Sequence, residues 1–434
     1  MNYKIYDNYK DSNEKWIGVV PESWVVKPIR EFYDYRSEKV SDKVYAPLSV
    51  TKKGILPQLE HAAKTDNNDS RKKVKIGDFV INSRSDRKGS CGVSPYEGSV
   101  SLIYHVLKSK DSSIDKYAHH LFRSVMFAEE FYKWGHGIVD DLWSTRWDEM
   151  KKIKIPMPPK DERIYIGQFL DKKTNMINEQ IKLNEELIQL LEEKRVALIN
   201  QVVTKGLNPD VAMKDSGVKW IGEIPEHWEI RKFGHLIKLI TKGATPTSYG
   251  FDFQDEGINF IKVESIEKNG KFIPSKFNYI SQECNNFLSR SKMKEGDLLF
   301  SIAGALGRVA IVDSTILPAN TNQALSIIRI DASKLLVEYV FYALKSDYSM
   351  YQIEDNTVQS AQANLSMESI KEFKILIPSF KEQYELVDYL NKETLKIDSI
   401  VHKVQENIAL LEEYKTSLIH HVVTGKIDVR GEEI

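Results

Sequence analysis

The chain has 434 residues, 41% hydrophobic and 28% charged, a composition typical of globular proteins and a length that suits two domains better than one core. Its formal net charge of −1 excludes nucleic-acid binding through an overall basic excess, so any such contact must come from local patches. The two cysteines, Cys91 and Cys284, are too few for a disulfide framework and lack metal-ligand spacing. Because the N-terminus is polar and the apolar runs are short, we expect neither a signal peptide nor a spanning helix, and hence a cytoplasmic protein without a membrane partner.

An internal repeat dominates the sequence, and its two ends match while its middle does not. The opening motif KDSNEKWIGVVPESW at 10–24 returns as KDSGVKWIGEIPEHW at 214–228. The closing motif LLEEKRVALINQVVT at 190–204 returns as LLEEYKTSLIHHVVT at 410–424. A duplicated domain that had merely drifted should not keep both ends and lose the middle. A fixed scaffold that carries two specialised bodies is therefore favoured.

We predict an α+β fold made of two tandem repeats, each a mixed α/β body followed by a long helix. The first body spans 1–158 and its helix 159–205, the second body spans 206–378 and its helix 379–425, and 426–434 forms a tail.

The first body combines predicted strands with a basic stretch. A Gly-Asp turn followed by an apolar run predicts strands within 74–83, and 116–134 predicts an aromatic-rich helix. Residues 71–88 hold seven basic and two acidic residues, and Arg84, Arg87 and Lys88 follow directly on a predicted strand. Basic loop residues suit phosphate, and arginine can also read guanine, although such a run is more often a solvated surface.

The first long helix has a coiled-coil pattern. Apolar residues recur at spacings of four and three, a pattern that predicts a seam with a partner helix. The seam residues are Ile177, Ile181, Ile188, Leu191 and Leu198. Asn184 occupies one seam position, where it either fixes the register or is a tolerated exposed residue.

The second body repeats the Gly-Asp turn within 293–312, and 258–266 and 323–330 alternate like strands. Three groups of polar residues are candidates for DNA contact. Hydroxyls and a lysine lie in a Gly/Pro loop, an arginine follows two glycines, and amides that could pair with adenine occur in two stretches. These residues are Lys242, Thr245, Thr247, Arg308, Asn322, Gln323, Gln362 and Asn364. Amide-rich turns are usually only turns, so each signal is weak alone.

The second long helix repeats the seam with Ile397, Val401, Ile408, Leu411 and Leu418. A helix over 164–203 is about 60 Å long, whereas the linker at 205–219 spans at most about 50 Å when fully extended. A parallel pairing would stretch this linker along the whole helix. We therefore expect an antiparallel coiled coil with the two bodies at opposite ends.

Motifs for chemistry are missing from the sequence. It contains no phosphate-binding loop, zinc-protease motif, nucleophile elbow or Asn-Pro-Pro-aromatic tetrapeptide. We therefore predict a non-catalytic chain with no metal site and no cofactor of its own.

Taken together, these features resemble the specificity subunits of type I restriction–modification systems. The resemblance covers nearly the whole chain and rests on the doubled W-I-G-x-x-P-E-x-W, the helix entries from Ile155 onward and from Ile377 onward, and the closing motifs. It implies two target-recognition domains that each read one half of a split, asymmetric site in double-stranded DNA. The helices would set the spacing and dock two methyltransferase subunits. Partner subunits would bring S-adenosylmethionine, and motor-nuclease subunits would bring ATP and magnesium.

The resemblance also places DNA-facing loops at 242–247, 304–308 and 362–366 of the second body. The first body departs from this pattern, because it lacks a threonine-proline loop and has STRW at 144–147 where the second body has NLSM at 364–367. Ser144 and Arg146 are its corresponding candidates. The alternative hypothesis is a coiled-coil scaffold protein that does not read DNA sequence.

Overall fold

The computed structural model describes residues 3–58, 69–84, 88–137, 143–357 and 364–433. The chain divides into two compact units, one formed by 1–185 with 405–434 and the other by 186–404. Each unit contains one body and a part of each long helix. Each long helix is divided between the two units, and the tail at 426–434 lies in the first unit.

Short strands dominate the first body, and a long helix follows it. The strands are β1 Tyr9–Asp11, β2 Val19–Pro21, β3 Val25–Pro28, β4 Tyr33–Tyr35, β5 Lys39–Val40, β6 Leu48–Thr51, β7 Gly54–Pro57, β8 Arg71–Val74, β9 Phe79–Asn82, β10 Cys91–Val93, β11 Gly98–Val100, β12 Tyr104–Ser109 and β13 Lys154–Met157. The helices are α1 Asp115–Arg123, α2 Val125–Lys133, α3 Trp147–Met150 and α4 Lys160–Lys205.

The rest of the chain follows the same plan. Its strands are β14 Met213–Asp215, β15 Glu223–Pro225, β16 Glu229–Lys232, β17 Ile237–Lys242, β18 Ile258–Ile261, β19 Asn278–Ile280, β20 Leu298–Ser301, β21 Val309–Ile311, β22 Ala319–Thr321, β23 Leu325–Ile330 and β24 Lys374–Ile377. Its helices are α5 Gln282–Phe287, α6 Val337–Leu344, α7 Asp347–Thr357, α8 Met367–Glu372 and α9 Phe380–Val423.

The repeated opening motif joins each body to its long helix. In each copy two short strands pair, β1 with β2 and β14 with β15. The last tryptophan of the motif is then buried. Trp24 Nε1 donates to Glu162 Oε1 at 2.9 Å, and Trp228 Nε1 donates to Glu382 Oε1 at 3.3 Å. Because both glutamates lie in the first turn of a long helix, the matching ends of the repeat form one structural connection.

Each body is built around a four-stranded antiparallel sheet with the same order. The first sheet runs β10-β9-β12-β4 and the second β21-β20-β23-β17. The Gly-Asp turns, which predicted strand starts, precede β9 and β20. In both turns the aspartate accepts a backbone N–H three residues upstream at 2.8 Å, from Lys75 to Asp78 and from Lys294 to Asp297. Each carboxylate also forms a two-bond pair with an arginine, Arg36 or Arg329.

The structure modifies two of the predicted elements. The helix expected over 116–134 is two helices, because Ser124 adopts an extended backbone and its side chain caps α2 at Phe127 N. The strand expected over 258–266 ends at Ile261, and a 3-10 helix at Val263–Ser265 follows.

In the first unit, the start of α4 packs against the end of α9. Ile177 and Leu418 are buried in one core, with Ile181 and Leu411 partly buried against it. Tyr117, which neighbours Gly167 on α4, donates to Val423 O at 2.8 Å, and further along α4 Asn178 Oδ1 accepts from Lys415 Nζ at 2.9 Å. Residues later in α4 therefore contact residues earlier in α9, so these two segments run antiparallel.

In the second unit, the end of α4 packs against the start of α9. Ile199 and Val202 share a core with Leu386 and Leu390, and Leu198 packs against it. Arg195, nearly buried, pairs with Asp398. The remaining predicted seam residues are buried or half-buried, namely Ile188, Leu191, Ile397, Val401 and Ile408.

Asn184 occupies its seam position half-buried, and its Nδ2 has no hydrogen-bond partner among the residues that the structure describes. The interpretation of Asn184 as a tolerated exposed residue therefore does not describe this position. Within the described ranges, no helix is long and apolar enough to cross a membrane.

Candidate nucleic-acid interface

Four loops that are distant in sequence meet at one end of the second sheet, where its strands begin or end. Strands β17 and β20 end there, at Lys242 and Ser301, while β23 and β21 begin there, at Leu325 and Val309. Neighbouring strands in this sheet are antiparallel, so one strand's end lies beside the next strand's start. We call the residues at this edge, 242–249, 302–308, 322–324 and 364–366, the second loop edge.

Backbone hydrogen bonds tie these loops together. Gly243 N donates to Asn322 O at 3.2 Å, and Ile302 N donates to Ala324 O at 2.8 Å. Leu365 N in turn donates to Ile302 O at 2.9 Å. The loops that the sequence suggested separately therefore form one continuous surface.

The close approach between two of these loops requires a glycine. A Cβ added to Gly243 would lie 1.7 Å from the carbonyl oxygen of Thr321, far inside van der Waals contact. Because that oxygen belongs to the backbone, a side chain at 243 could be accommodated only by moving the loops apart.

Three of the predicted polar side chains of this edge are exposed to solvent. Thr247, Gln323 and Asn364 are exposed, whereas Lys242 and Thr245 are half-buried. Thr245 Oγ1 donates to Gln323 Oε1 at 2.6 Å, which fixes the amide so that its NH2 group is left to donate. Such a group suits the acceptors that adenine and guanine present in the major groove.

Two predicted contacts of this edge have structural partners. Arg308 is half-buried, and its Nη1 donates to the carbonyl oxygens of Ile266 at 2.6 Å and Val263 at 3.1 Å. These bonds brace the loop that Arg308 ends, and they occupy the donors of Nη1 only. Asn322 is half-buried, and its Oδ1 accepts from Ala324 N at 3.0 Å as a turn. Gln362 lies outside the described residues.

Sequence reasoning missed one cation at this edge. Arg290 is exposed, and its Nη2 lies 3.4 Å from the carbonyl oxygen of Lys242. It comes from a 3-10 helix at Ser289–Ser291. Only the tertiary fold brings it to the loop at 242–247, and no local motif marks it.

The first body has a matching edge. Strands β4 and β9 end there, at Tyr35 and Asn82, and β12 and β10 begin there. Thr145 N donates to Ser83 O at 2.9 Å, in the same place as the bond from Leu365 to Ile302. The structure thus equates 144–147 with 364–367, as the sequence alignment suggested. We call 83–84, 88–90, 101–103 and 143–147 the first loop edge.

The predicted residues of the first loop edge differ in availability. Arg84 and Arg146 are exposed. Lys88 is exposed as well but lies 3.2 Å from Glu129 Oε2, so its charge is already paired. Ser144 is half-buried and exchanges backbone bonds with His136 at 3.0 and 3.1 Å. Arg87 lies outside the described residues.

Neither interpretation of the basic stretch at 71–88, a DNA-contacting loop or a solvated surface run, holds for its first three residues. Arg71, Lys72 and Lys73 form β8 and are 7–9% exposed. Lys72 Nζ donates to Tyr35 OH and to Tyr104 O, both at 2.6 Å, and burial lowers its pKa to about 8. Since buried cations require partners of this kind, these residues belong to the interior and not to a DNA-facing patch.

A buried histidine holds the segment at 144–147 in place. His105 Nε2 lies 2.7 Å from the carbonyl oxygen of Thr145. Burial lowers the pKa of His105 to about 4, so the ring is neutral at pH 7 and donates from Nε2. Thr145 Oγ1 also donates to Phe131 O at 2.8 Å.

Within the described ranges, no three His, Cys, Asp or Glu side chains come together in a way that could hold a metal ion. The two loop edges present hydroxyl, amide and guanidinium groups, which can form hydrogen bonds with a ligand.

Comparison with known proteins is consistent across sequence and structure. Residues 225–409 match the profile of the type I restriction modification DNA specificity domain. Two relatives from Methanocaldococcus jannaschii extend over nearly the whole chain. The MjaVIII specificity subunit is 24% identical and covers 98% of each chain, and the putative MjaX specificity subunit is 22% identical and covers 97% of this chain and 98% of its own.

Two solved structures share the fold. One is a chain from work on assembly and conformational transition of the type I R-M system, with a TM-score of 0.69, 14% identity and coverage of 94% of this chain and 99% of that one. The other is the HsdS subunit from Thermoanaerobacter tengcongensis, with a TM-score of 0.50, 15% identity and coverage of 94% and 98%.

Proposed function

We propose that the chain is a type I restriction specificity subunit and that each of its bodies reads one half of a bipartite DNA site. The observation that carries this proposal is the pair of loop edges. The same sheet order and the same backbone tether recur in both bodies, while the side chains they present differ.

The difference between the two edges predicts an asymmetric site. The second edge presents an amide, a hydroxyl and Arg290, whereas the first presents Arg84 and Arg146. Amides pair well with adenine and arginine with guanine, so two edges with different groups should read two different short sequences. The DNA between the blocks would be unread, and α4 and α9 would set its length.

We further propose that two methyltransferase subunits dock on the long helices. Several leucines outside the seam are exposed although they are apolar, including Leu183 at 58%, Leu190 at 60% and Leu410 at 62%. Exposed apolar residues on a helix suit a protein partner. S-adenosylmethionine would then be held by the methyltransferase subunits, and ATP and magnesium by motor-nuclease subunits, while this chain contributes no catalytic residue.

Mapping of methylated adenines tests this function directly. A host that carries the chain with its partner subunits is compared with a strain that lacks only this chain. We expect a split, asymmetric motif that disappears on deletion. Replacing 220–378 with the corresponding segment of a relative should change one block and leave the other block unchanged.

The alternative function, a scaffold that does not read sequence, predicts a different result. An assembled, methylation-competent complex would then leave the same pattern with or without this chain. Exchange of the second body would also leave both blocks of the motif as they were.

A further inference from the structure

Two exposed aromatic side chains lie at the second loop edge, Tyr249 within it and Phe287 beside it. Tyr249 is 53% exposed and Phe287 is 56% exposed. Their ring centroids are 5.2 Å apart, with the ring planes inclined at 55°. A third ring, Phe251, lies 5.4 Å from Phe287 on its more buried side. Rings packed side by side and left in water indicate a surface that is covered by something else.

The fold holds Phe287 rigidly. It ends α5, and the neighbouring Cys284 and Leu288 are 0% and 7% exposed in a small core of their own. The Ser281 side chain caps the helix by accepting from Cys284 N at 3.0 Å. Asn285 accepts from the buried Asn320 at 2.9 Å, which fixes the same helix from below.

Tyr249 is held just as firmly. It ends a 3-10 helix at Pro246–Tyr249, whose first residue is buried, and Gly250 closes that helix with a left-handed φ of 80°. Since the backbone on both sides of the rings is fixed, little conformational entropy would be lost when a partner covers them.

The chemistry around the rings identifies the partner. Tyr249 continues the loop that carries Thr245 and Thr247, and Arg290 lies three residues beyond Phe287. Lys292 is a further cation near the rings, and its Nζ donates to Asn286 Oδ1 at 2.7 Å. Acidic residues are also close in sequence, namely Glu283, one turn before Phe287, and Asp252. Cations, hydroxyls and amides around an apolar centre suit a DNA groove, where phosphates flank apolar and polar base edges.

We infer that Tyr249 and Phe287 form an apolar contact with the target DNA. The two rings enter the groove that the second loop edge faces, and they pack against base edges or a partly opened base step. Arg290 and Lys242 contact the flanking phosphates. This inference rests on the proposed function and adds to it two specificity-determining residues that no motif marks.

The affinity for DNA should then have two components that can be measured separately, one that depends on the DNA sequence and one that does not. Phosphate contacts bind all sequences and weaken with salt, whereas contacts to base edges distinguish one sequence from another. The rings should therefore govern preference for the site, and Arg290 should govern general affinity.

The test uses the assembled complex of this chain with its methyltransferase partners. Its affinity is measured for a duplex that contains the mapped motif and for a scrambled duplex, each over a series of salt concentrations. Tyr249→Ala combined with Phe287→Ala should lower affinity for the motif about tenfold or more and leave scrambled-duplex affinity and the salt slope unchanged. Arg290→Ala should weaken both duplexes and reduce the salt slope by about one.

Two controls keep the outcome interpretable. Tyr351→Ala removes a tyrosine of similar exposure, 51%, from α7 and should change neither affinity. Photo-crosslinking of the unmodified complex to motif DNA that contains 5-iodouracil should attach to Tyr249 or Phe287. This second measurement does not depend on how well the variants fold.

The results separate the two claims. If the unmodified complex does not prefer its motif, the proposed function fails. If it prefers the motif, but the double variant keeps that preference or the crosslinks fall only on residues distant from the rings, the inference alone is overturned.

Discussion

Replacement of Asp297 by alanine should selectively loosen the second sheet. Asp297 is 1% exposed at its side chain, and both of its oxygens accept from Arg329, at 2.7 and 2.8 Å. The change leaves a guanidinium and the Lys294 N–H without their acceptor. Removing one partner of a buried ion pair costs about 3–5 kcal/mol, and we take the lower end, about 3 kcal/mol, because Arg329 is 28% exposed and can partly rehydrate.

Amide hydrogen exchange is the suitable assay because it reports on each strand separately. About 3 kcal/mol corresponds to roughly a hundredfold change in an equilibrium constant. Amides of β20 and β23 should therefore exchange about a hundred times faster in the Asp297→Ala chain. Amides of β9 and β12, in the other body, should exchange at their original rates.

The repeat provides a matched variant for this prediction. Asp78→Ala removes the corresponding carboxylate from the first sheet, where Arg36 is 15% exposed. It should accelerate exchange in β9 and β12 by at least as much and leave β20 and β23 unchanged. Exchange in β20 and β23 that rises less than threefold in the Asp297→Ala chain would refute the reasoning, because the carboxylate would then not be holding the sheet.

Three further predictions concern the loops, the helices and pH. Gly243→Ala should destabilise the second body by about 1–3 kcal/mol and relax one block of the methylation motif, because its Cβ would lie 1.7 Å from Thr321 O. Asp398→Asn should lower the melting temperature by roughly 2–5 °C, because the nearly buried Arg195 loses one of its two charged partners and keeps Glu192. The stability that neutral His105 contributes, with its pKa lowered to about 4, should be complete above pH 6.5 and decline as pH falls from 6.5 toward 4. His105→Gln should flatten this decline when thermal melts are compared at pH 7 and pH 5.

Each of these predictions has an opposing outcome. A Gly243→Ala complex with an unchanged motif would mean that the two loops need not touch to read DNA. Asp388→Asn, which removes an exposed carboxylate paired with Lys392, should leave the melting temperature nearly unchanged, so an equal fall in both variants would show that burial is irrelevant. An identical acid-induced loss of stability in the His105→Gln chain would remove that residue from the explanation.

Local periodicity was enough to predict the scaffold. The spacing of Ile177, Ile181 and their successors predicted long helices, because a seam of apolar residues every three and four positions has few other solutions. The doubled motif identified two bodies, because a repeated pair of ends indicates a repeated structural unit. Its ends form a connection between tryptophan and glutamate that each repeat must make for itself.

The candidate site could be predicted only in part, because the fate of a polar side chain depends on distant residues. Lys72 looked like a surface cation, and it is buried because Tyr35 and Tyr104 supply acceptors from other strands. Arg308 looked like a loop arginine free to read bases, and its Nη1 donates to the carbonyls of Val263 and Ile266. Neither partner set can be read from the local sequence.

The aspartate–arginine ion pairs at the two Gly-Asp turns have a consequence for sequence comparison. The carboxylates of Asp78 and Asp297 occupy equivalent places, yet Arg36 follows the edge strand β4 whereas Arg329 lies within the central strand β23. Duplication therefore preserved the acceptor while its donor came to be supplied from another position in the chain. An alignment of the two halves would match the two aspartates but not the two arginines. A search for correlated substitutions between aligned positions would therefore miss an ion pair that both bodies form.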